Sequence, residues 1–353
     1  MKILGIDTSC DDTAVGLIQT EGKKIKVLAD VVSSQIKIHA PYGGVYPFLA
    51  KREHQKNLPI VFKKALQKSR LSEKEIDLIG VTIGPGLEPC LWTGINFAKT
   101  LAQKFKKPLL PINHIEAHIL INFLNLKQPL NIKNIFPAIC LVVSGGHTQL
   151  ILMKDFGHYQ ILGETRDDAA GECFDKTARI LGLTYPGGPA IAQLVNKVKP
   201  KKKLLLWREK LKISLPRPML RQKNYDFSFS GLKTAVLYQY QKAKNKNQKY
   251  IQTMAWEIQQ AIIDVLVQKT LRAAKHAKAK SIILGGGVVA NTELRKQFKK
   301  ESLALIAKNH LLMPPPQFCT DNGIMVALTA FYHWPERNLK KWNQIKAEAN
   351  LRL

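Results

Sequence analysis

The sequence predicts an α/β protein of two lobes with similar plans, each a mixed β-sheet covered by helices. Three observations predict it. Strand-like segments come first and are followed by alternating β and α signals, the order expected of a mixed sheet with helical cover. A strand–polar turn–strand pattern at Lys2–Ile18 starts again at Ala138–Met153. At 353 residues the chain is long for one core and comfortable for two. Identity between the halves is too low to establish an internal repeat.

Lys2–Ile6 reads as an apolar strand, Asp7–Asp12 as a tight polar turn and Thr13–Ile18 as a second strand, with a third at Lys24–Val32. After the Gly/Pro loop Pro41–Pro47, Leu49–Lys68 has helical spacing, and Pro59 is expected to break or restart that helix. Ile76–Thr82 is a strand into Gly84-Pro85-Gly86, and Gly94–Phe105 a helix. In the second half, strand Ala138–Val143 and strand Thr148–Met153 flank the turn Ser144–Gly146. Residues Asn196–Asn224 are rich in Lys, Arg and Pro without clean periodicity, and a mobile basic segment is expected there. Ile251–His276 is a long amphipathic helix leading into strand Ser281–Leu284. Ile324–Tyr332 is helical, Pro335 ends or kinks that pattern, and a last helix is expected in the polar tail from Arg337. The first lobe is thus expected over residues 1–112, completed by C-terminal helices over 325–353, and the second over 113–324 with the basic segment 196–224.

Bulk properties exclude several classes. The apolar fraction of 45% is that of a folded globular protein. No apolar run approaches the roughly 18 residues of a spanning helix, so no membrane partner is expected. Five scattered cysteines without C-x-x-C spacing argue against a disulfide framework and for a reducing compartment. With a strand at the N-terminus in place of a signal h-region, a cytoplasmic protein is expected. The balance of 54 Lys+Arg against 26 Asp+Glu gives a formal charge of +28, a field that attracts polyanions such as nucleic acid. A Lys-rich proteome is the competing explanation, and clusters such as Lys201–Lys203, Lys242–Lys249 and Lys275–Lys280 are individually only solvated faces.

His114 and His118 are four apart, so on a helix both imidazoles leave one face, the geometry for two ligands of one ion. A zincin needs Glu directly after the first His; here Glu116 is two residues on and points elsewhere, so the protease reading fails on register. Two ordinary helix histidines are the competing reading. A further ligand is required, and Asp321 is chemically suited to iron or zinc, whereas nearby Cys319 reads equally well as a small buried hydrophobe.

Three glycine-bearing or hydroxyl-bearing turns suit an anion. Asp7-Thr8-Ser9 offers hydroxyls and N–H groups, with the carboxylates of Asp11 and Asp12 beside them. Ser144-Gly145-Gly146 repeats the arrangement, its glycines letting an anion reach the backbone. Gly285-Gly286-Gly287 precedes a helix expected near Ala290, where a nucleoside or its phosphate would sit with Asn291 reading a ribose or base edge. None of these is a dinucleotide or P-loop fingerprint, and a Gly triplet is more commonly just a tight turn. Asp167, Asp168, Glu172 and Asp175 suit ribose hydroxyls or a cation, or equally an acidic first helical turn.

Together GIDTSCDDTAVGL, PYGGVYP, AKREH, IGPGL, HIEAH, VSGGHTQL, DDAAGECFDKTARILGLTYPGGPAI, FSFSGLKTAV, GGGVVANTELR and CTDNGIM resemble, in order and over nearly the whole chain, the tRNA N6-adenosine threonylcarbamoyltransferase (TsaD) family of bacterial type, formerly called O-sialoglycoprotein endopeptidases. The resemblance implies the actin/sugar-kinase/heat-shock-ATPase fold, two lobes around a central cleft. It implies His114, His118 and Asp321 as ligands of one divalent ion, Fe(2+) first and Zn(2+) second, and contacts from Val143, Ser144, Gly145, Gly146, His147, Asp175, Gly188 and Asn291 to an adenylate-type substrate. The implied reaction moves a threonylcarbamoyl group from threonylcarbamoyl-AMP to N6 of adenosine 37 in tRNAs reading codons that begin with A. Asp11 or Asp12 would accept the amine proton. Implied partners are tRNA, an inactive paralogue of the same fold forming a heterodimer, and a small P-loop ATPase.

Two positions depart from the family pattern: Asp12 stands where Glu is usual, and Phe48 where an acid follows the proline. Two rivals predict differently. A small-molecule kinase of the same fold would have no use for His114 and His118, and a non-catalytic tRNA-binding scaffold would be expected to have lost the metal and nucleotide motifs.

Overall fold

A computed structural model describes residues 1–22, 24–124, 134–198, 201–307, 310–334 and 342–353. In chain order its strands are β1 Lys2–Asp7, β2 Asp12–Glu21, β3 Lys24–Ser34, β4 Leu78–Gly84, β5 Leu109–Asn113, β6 Ala138–Val143, β7 Thr148–Asp155, β8 His158–Glu164, β9 Ser281–Gly285 and β10 Leu311–Leu312. Its helices are α1 Ile36–His39, α2 Pro47–Ser69, α3 Glu88–Phe105, α4 His114–Leu120, α5 Ala170–Ile180, α6 Gly187–Asn196, α7 Lys202–Lys210, α8 Ser230–Lys242, α9 Gln248–His276, α10 Thr292–Glu301 and α11 Gly323–His333. Among the described residues no helix is long and apolar enough to cross a membrane.

Two five-stranded mixed sheets share one plan, as the recurring strand–turn–strand pattern predicts. The first has order β3-β2-β1-β4-β5 and the second β10-β9-β6-β7-β8. In each, the opening strand is antiparallel to the next in sequence and parallel to a crossover strand on its other side, β1 to β4 and β6 to β9. Completely buried strands such as β4 (LIGVTIG) read as continuous apolar runs because both faces are covered.

The chain divides into Met1–Lys127 with Pro314–Leu353, and Gln128–Met313. Both boundaries differ from those expected at 112/113 and 324/325. The reason is packing: Ala117 of α4 and Ile121 and Leu124 just after it share one core with Ile324, Met325 and Val326 of α11 and with Ile3 and Leu78 of the first sheet. HIEAH and Asp321 therefore belong to the first unit.

Three local expectations need correction. First, α2 runs unbroken through Pro59; the proline faces solvent, where the carbonyl it deprives of a donor can bond water. Second, the described residues of 196–224 pack onto the second unit. They contain α7, bury Leu204, Ile213 and Leu215, and send Arg217 to the buried Glu257 at 2.5 Å and to Asp264 at 2.9 Å. Third, among the described residues 342–353 form no α-helix. Ile345 enters the core instead, Glu348 N–H bonds the Ile83 carbonyl at 2.8 Å, and the Ala349 carbonyl accepts from Gly86 N–H at 3.1 Å. The tail is held by backbone bonds that no side-chain periodicity encodes. Residues 335–341, at the start of the tail, lie outside the described residues.

Candidate functional site

In the first unit, chemistry gathers where ligands of open α/β sheets usually bind, at the carboxyl ends of parallel strands. Asp7 closes β1, Thr82 lies on β4 and His114 follows β5 directly. Asn113 caps α4, its side chain accepting from Ile115 N–H at 2.8 Å and Glu116 N–H at 3.2 Å. The cap starts the helix at His114, so His118 falls one turn on and the imidazoles stand 4.6 Å apart between centroids. Asp321 arrives from the junction before α11, where Asn322 caps the helix through Met325 N–H at 2.9 Å.

His114, His118 and Asp321 each offer one ligand atom, and the three atoms lie within 4.8 Å of one another. His118 Nε2 is 3.2 Å and His114 Nε2 3.5 Å from Asp321 Oδ1. His118 is 1% exposed, and neither ring nitrogen makes an aligned hydrogen bond, although the Asp321 carboxylate stands beside Nε2. A buried imidazole without an aligned hydrogen bond costs free energy, which a divalent cation held by the three groups would offset. Glu116 lies apart from this cluster and bonds His333 at 2.8 Å, in keeping with its register.

Behind these three groups stands Asp7, completely buried. Its carboxylate accepts from Ser9 N–H at 2.9 Å, Ser9 Oγ at 2.7 Å, Thr82 Oγ1 at 2.5 Å and His114 Nδ1 at 3.0 Å. Fixing the proton on Nδ1 leaves His114 Nε2 free to ligate, the carboxylate–histidine arrangement of metal sites. Burial works against the Asp7 charge, but His114 and these donors hold its pKa well below the carboxylate range. Burial likewise disfavours the His114 imidazolium, yet Asp7 and Asp321 push its pKa up to about 9.

This arrangement corrects the phosphate reading of Asp7-Thr8-Ser9. Thr8 and Ser9 are buried; the Thr8 hydroxyl donates to the Cys90 carbonyl at 2.9 Å and Ser9 is turned onto Asp7. Sequence reasoning alone misses Asp7 and Thr82 as supports of the His114–His118–Asp321 cluster. The available signal is a carboxylate at the carboxyl end of an all-apolar strand.

Asp11 and Asp12 lie near enough for Asp321 to act on both. Burial first, then the Asp321 charge, raises Asp11. The same two causes push Asp12 up to about 7, against a hydrogen bond from Ser34, and Asp12 Oδ1 is buried without a partner. Two histidines brace this turn, His54 directly and His39 through Gln35, whose N–H donates to the Asp11 carbonyl at 3.0 Å. His54 Nε2 donates to the Cys10 carbonyl at 3.0 Å, so its Nδ1 accepts from the Thr13 hydroxyl at 2.8 Å, and burial lowers its pKa. His39 Nδ1 accepts Tyr46 N–H at 3.3 Å, leaving Nε2–H for Gln35 at 3.0 Å. Neither histidine carries a local sequence signal for this role.

The Asp12 environment has a sign that can be tested. Its folded carboxyl holds a proton more tightly than the unfolded one, whose pKa is about 4. Stability is therefore lost as pH rises from that value through about 7. In chelator-treated protein, Asp12→Asn is expected to gain on the order of 2 kcal/mol over wild type at pH 8 and little at pH 4. Denaturant melts at both pH values measure it, and identical pH profiles for the two proteins would refute it.

In the second unit, Ser144, Gly145 and Gly146 form the turn between β6 and β7, with Ser144 Oγ accepting His147 N–H at 3.1 Å. Val143 closes β6 one residue past the Val142–Gly285 pair, and a Cβ on Gly286, whose φ is +90°, would overlap the Val143 carbonyl. Space beside Gly145 and Gly146 is open, and a Cβ on Gly188 would meet only Phe174, at 3.8 Å. Asp175 Oδ1 accepts Gly187 N–H at 2.7 Å, joining α5 to α6. Asn291 is engaged: its Oδ1 caps α10 through Glu293 and Leu294 N–H, and its Nδ2 bonds Gln259 at 2.9 Å. The helix expected to begin near Ala290 is α10, which starts at Thr292 after a 3-10 turn at Gly287–Ala290. Asp167 accepts from Phe229 and Ser230 N–H at the start of α8, while Asp168 and Glu172 pair with Lys176, so these three acids act as structural partners.

Two mixed sheets of this plan define the actin/sugar-kinase/heat-shock-ATPase class. Component A of the Acidaminococcus fermentans (R)-2-hydroxyglutaryl-CoA dehydratase superposes with a TM-score of 0.52 at 15% identity over 94% of this chain and 98% of its own. HypF from T. kodakarensis superposes with a TM-score of 0.59 at 15% identity over 98% of this chain and 49% of its own. These likenesses show the fold alone.

The sequence profile of the tRNA N6-adenosine threonylcarbamoyltransferase family, TsaD, matches residues 26–328. Proteins of that name from Thermosipho africanus and Persephonella marina are each 45% identical over all of this chain, covering 100% and 96% of their own lengths. One from Syntrophomonas wolfei is 45% identical over 95% of this chain and 93% of its own. The chain belongs to this family of transferases.

Proposed function

We propose that this protein transfers threonylcarbamoyl from threonylcarbamoyl-AMP to N6 of adenosine 37 in tRNAs reading codons that begin with A. The observation that carries the proposal is the convergence of the ligand atoms of buried His114 and His118 with Asp321 in a chain of this family. Two imidazoles and one carboxylate suit Fe(2+), with Zn(2+) the alternative. When bound, the cation supplies Lewis-acid polarisation of the donor's carbonyl or phosphate.

The chain's own groups do the rest. Asp7 keeps the His114 proton on Nδ1. Val143–His147, Asp175, Gly188 and Asn291 are the proposed contacts of the adenylate, the open glycines admitting it to backbone N–H groups. As N6 bonds the carbamoyl carbon, the bond from that carbon to the phosphate oxygen breaks and AMP leaves. Asp12, with a pKa raised to about 7, takes the amine proton; Asp11 is second choice because its carboxyl is already engaged with Cys10. A non-catalytic scaffold has no use for two buried imidazoles and a carboxylate whose ligand atoms converge. Proposed partners are tRNA, an inactive paralogue and a small P-loop ATPase, in the cytoplasm.

The test is incubation with threonylcarbamoyl-AMP and a tRNA carrying unmodified adenosine 37, with and without the partner proteins. Nucleoside mass spectrometry should detect threonylcarbamoyladenosine with wild type and lose it with His114→Ala. Tight tRNA binding without product under every partner combination would favour the scaffold.

A further inference from the structure

The positive charge is not spread evenly. The 81 residues between Asp175 and Glu257 contain 18 Lys and Arg against two acids, Glu209 and Asp226. That stretch, under a quarter of the chain, carries +16 of the formal +28. A composition bias acting on the whole chain would not concentrate charge in this way.

The fold then draws part of the stretch into one face. Lys249, at the start of α9, lies over the Trp207 ring of α7 at 5.0 Å. Tyr250 donates its hydroxyl to the Gln239 carbonyl of α8 at 2.9 Å, and Gln239 Nε2 bonds the Lys212 carbonyl just beyond α7 at 3.5 Å. Lys246 covers the Tyr240 ring at 4.8 Å. The end of α7, the end of α8 and the start of α9 thus meet, and Lys212, Lys242, Lys244 and Lys246 are exposed there. Elsewhere in the unit Lys176, Lys201 and Arg217 are neutralised by carboxylates. Among the described residues these four lysines form no ion pair. Tyr238 stands among them with 58% of its surface open.

Unneutralised lysines interleaved with aromatic rings suit a polyanion whose phosphates lie along the surface and whose bases or sugars can meet a ring. We propose that this α7–α8–α9 face is an RNA-backbone docking surface of the second unit, separate from the histidine–aspartate cluster of the first. The proposal rests on tRNA being the substrate, and it adds where the tRNA is held. Because lysines contact phosphate and read no base, the face sets affinity without choosing sequence.

The test compares two quadruple variants of the full chain that change net charge equally. One is Lys212→Gln, Lys242→Gln, Lys244→Gln and Lys246→Gln on the face. The other is Lys26→Gln, Lys63→Gln, Lys64→Gln and Lys74→Gln, all exposed on the first unit. Binding of a tRNA transcript with unmodified adenosine 37 is measured without donor over a range of salt concentrations. Removing four lysine–phosphate pairings should make the log–log salt dependence shallower by about 3 and weaken binding at least about tenfold near 0.1 M salt. The first-unit variant should change binding less than about threefold. Equal weakening by both variants, or unchanged binding by the face variant, overturns the docking surface. Turnover is read separately: the face variant should raise KM for tRNA and keep kcat, and a kcat loss at saturating tRNA also overturns it. Wild type that binds RNA through this face yet makes no product would sink the transfer reaction and leave the face standing.

Discussion

Replacing His118 with alanine is expected to abolish high-affinity metal binding and, with it, transfer. The side chain is one of three groups whose donor atoms lie within 4.8 Å, so its loss should exceed the roughly 10–100-fold in affinity typical of outer groups. Asp7→Asn supplies that smaller step, because Asp7 only orients His114 through Nδ1. Glu116→Gln should leave affinity unchanged, since Glu116 is turned to His333. Stability separates the ligand reading from two ordinary helix histidines. With metal present, His118→Ala should lower the melting temperature through lost linkage. In chelator-treated protein the change should be smaller, because the ring then loses only its packing and its pairing with Asp321. Metal analysis by mass spectrometry and paired melts with and without chelator measure both effects. Equal destabilisation in the two conditions, with metal content unchanged, would show that His118 is packing alone.

How far the site is legible in sequence depends on how local its geometry is. His114 and His118 are joined by one helical turn, so their common face can be read from spacing, and Glu116 can be excluded by register. Asp321 requires a chemical argument about a third ligand, and its place in the first unit is not visible from sequence. That place follows from α11 packing with α4 in one core. Asp7 reads as part of a phosphate turn because Asp-Thr-Ser is a good local anion motif. Its actual partners, Thr82 and His114, lie 75 and 107 residues away, and no periodicity carries contacts of that range. The same holds for His54, which reaches back 44 residues to Cys10. The two sheets of similar plan follow from alternation and repeated turns. The tail does not, because it is fixed by backbone bonds to Ile83 and Gly86 that any residue type can make.

Gly323→Ala is expected to cost about 3 kcal/mol of stability, the upper part of the range for overpacking, since the obstacle is backbone on both sides. A Cβ at Gly323 would overlap Gly16 N and the Val15 carbonyl carbon, and reciprocally a Cβ at Gly16 would strike Gly323 and Ile324. One at Gly5 would strike the Gly323 carbonyl and Ala327 N. Helix α11 therefore rests directly on the backbones of β1 and β2, with no side-chain layer between that could rearrange. Asp321 sits two residues before that contact. Lifting the helix by a fraction of an ångström carries the carboxylate away from His114 and His118, whose mutual geometry tolerates about 0.5 Å. Stability and metal affinity should thus fall together in this variant, though residue 323 touches no ligand atom. Gly231→Ala, where a Cβ meets nothing within 4 Å, is the control and should be neutral or gain up to about 1 kcal/mol in helix α8. Denaturant unfolding and metal titration of the two variants decide the matter. A Gly323→Ala protein as stable as the control would mean the helix can shift freely, and one that is destabilised yet binds metal normally would mean that Asp321 is positioned by its own loop and not by the glycine contact.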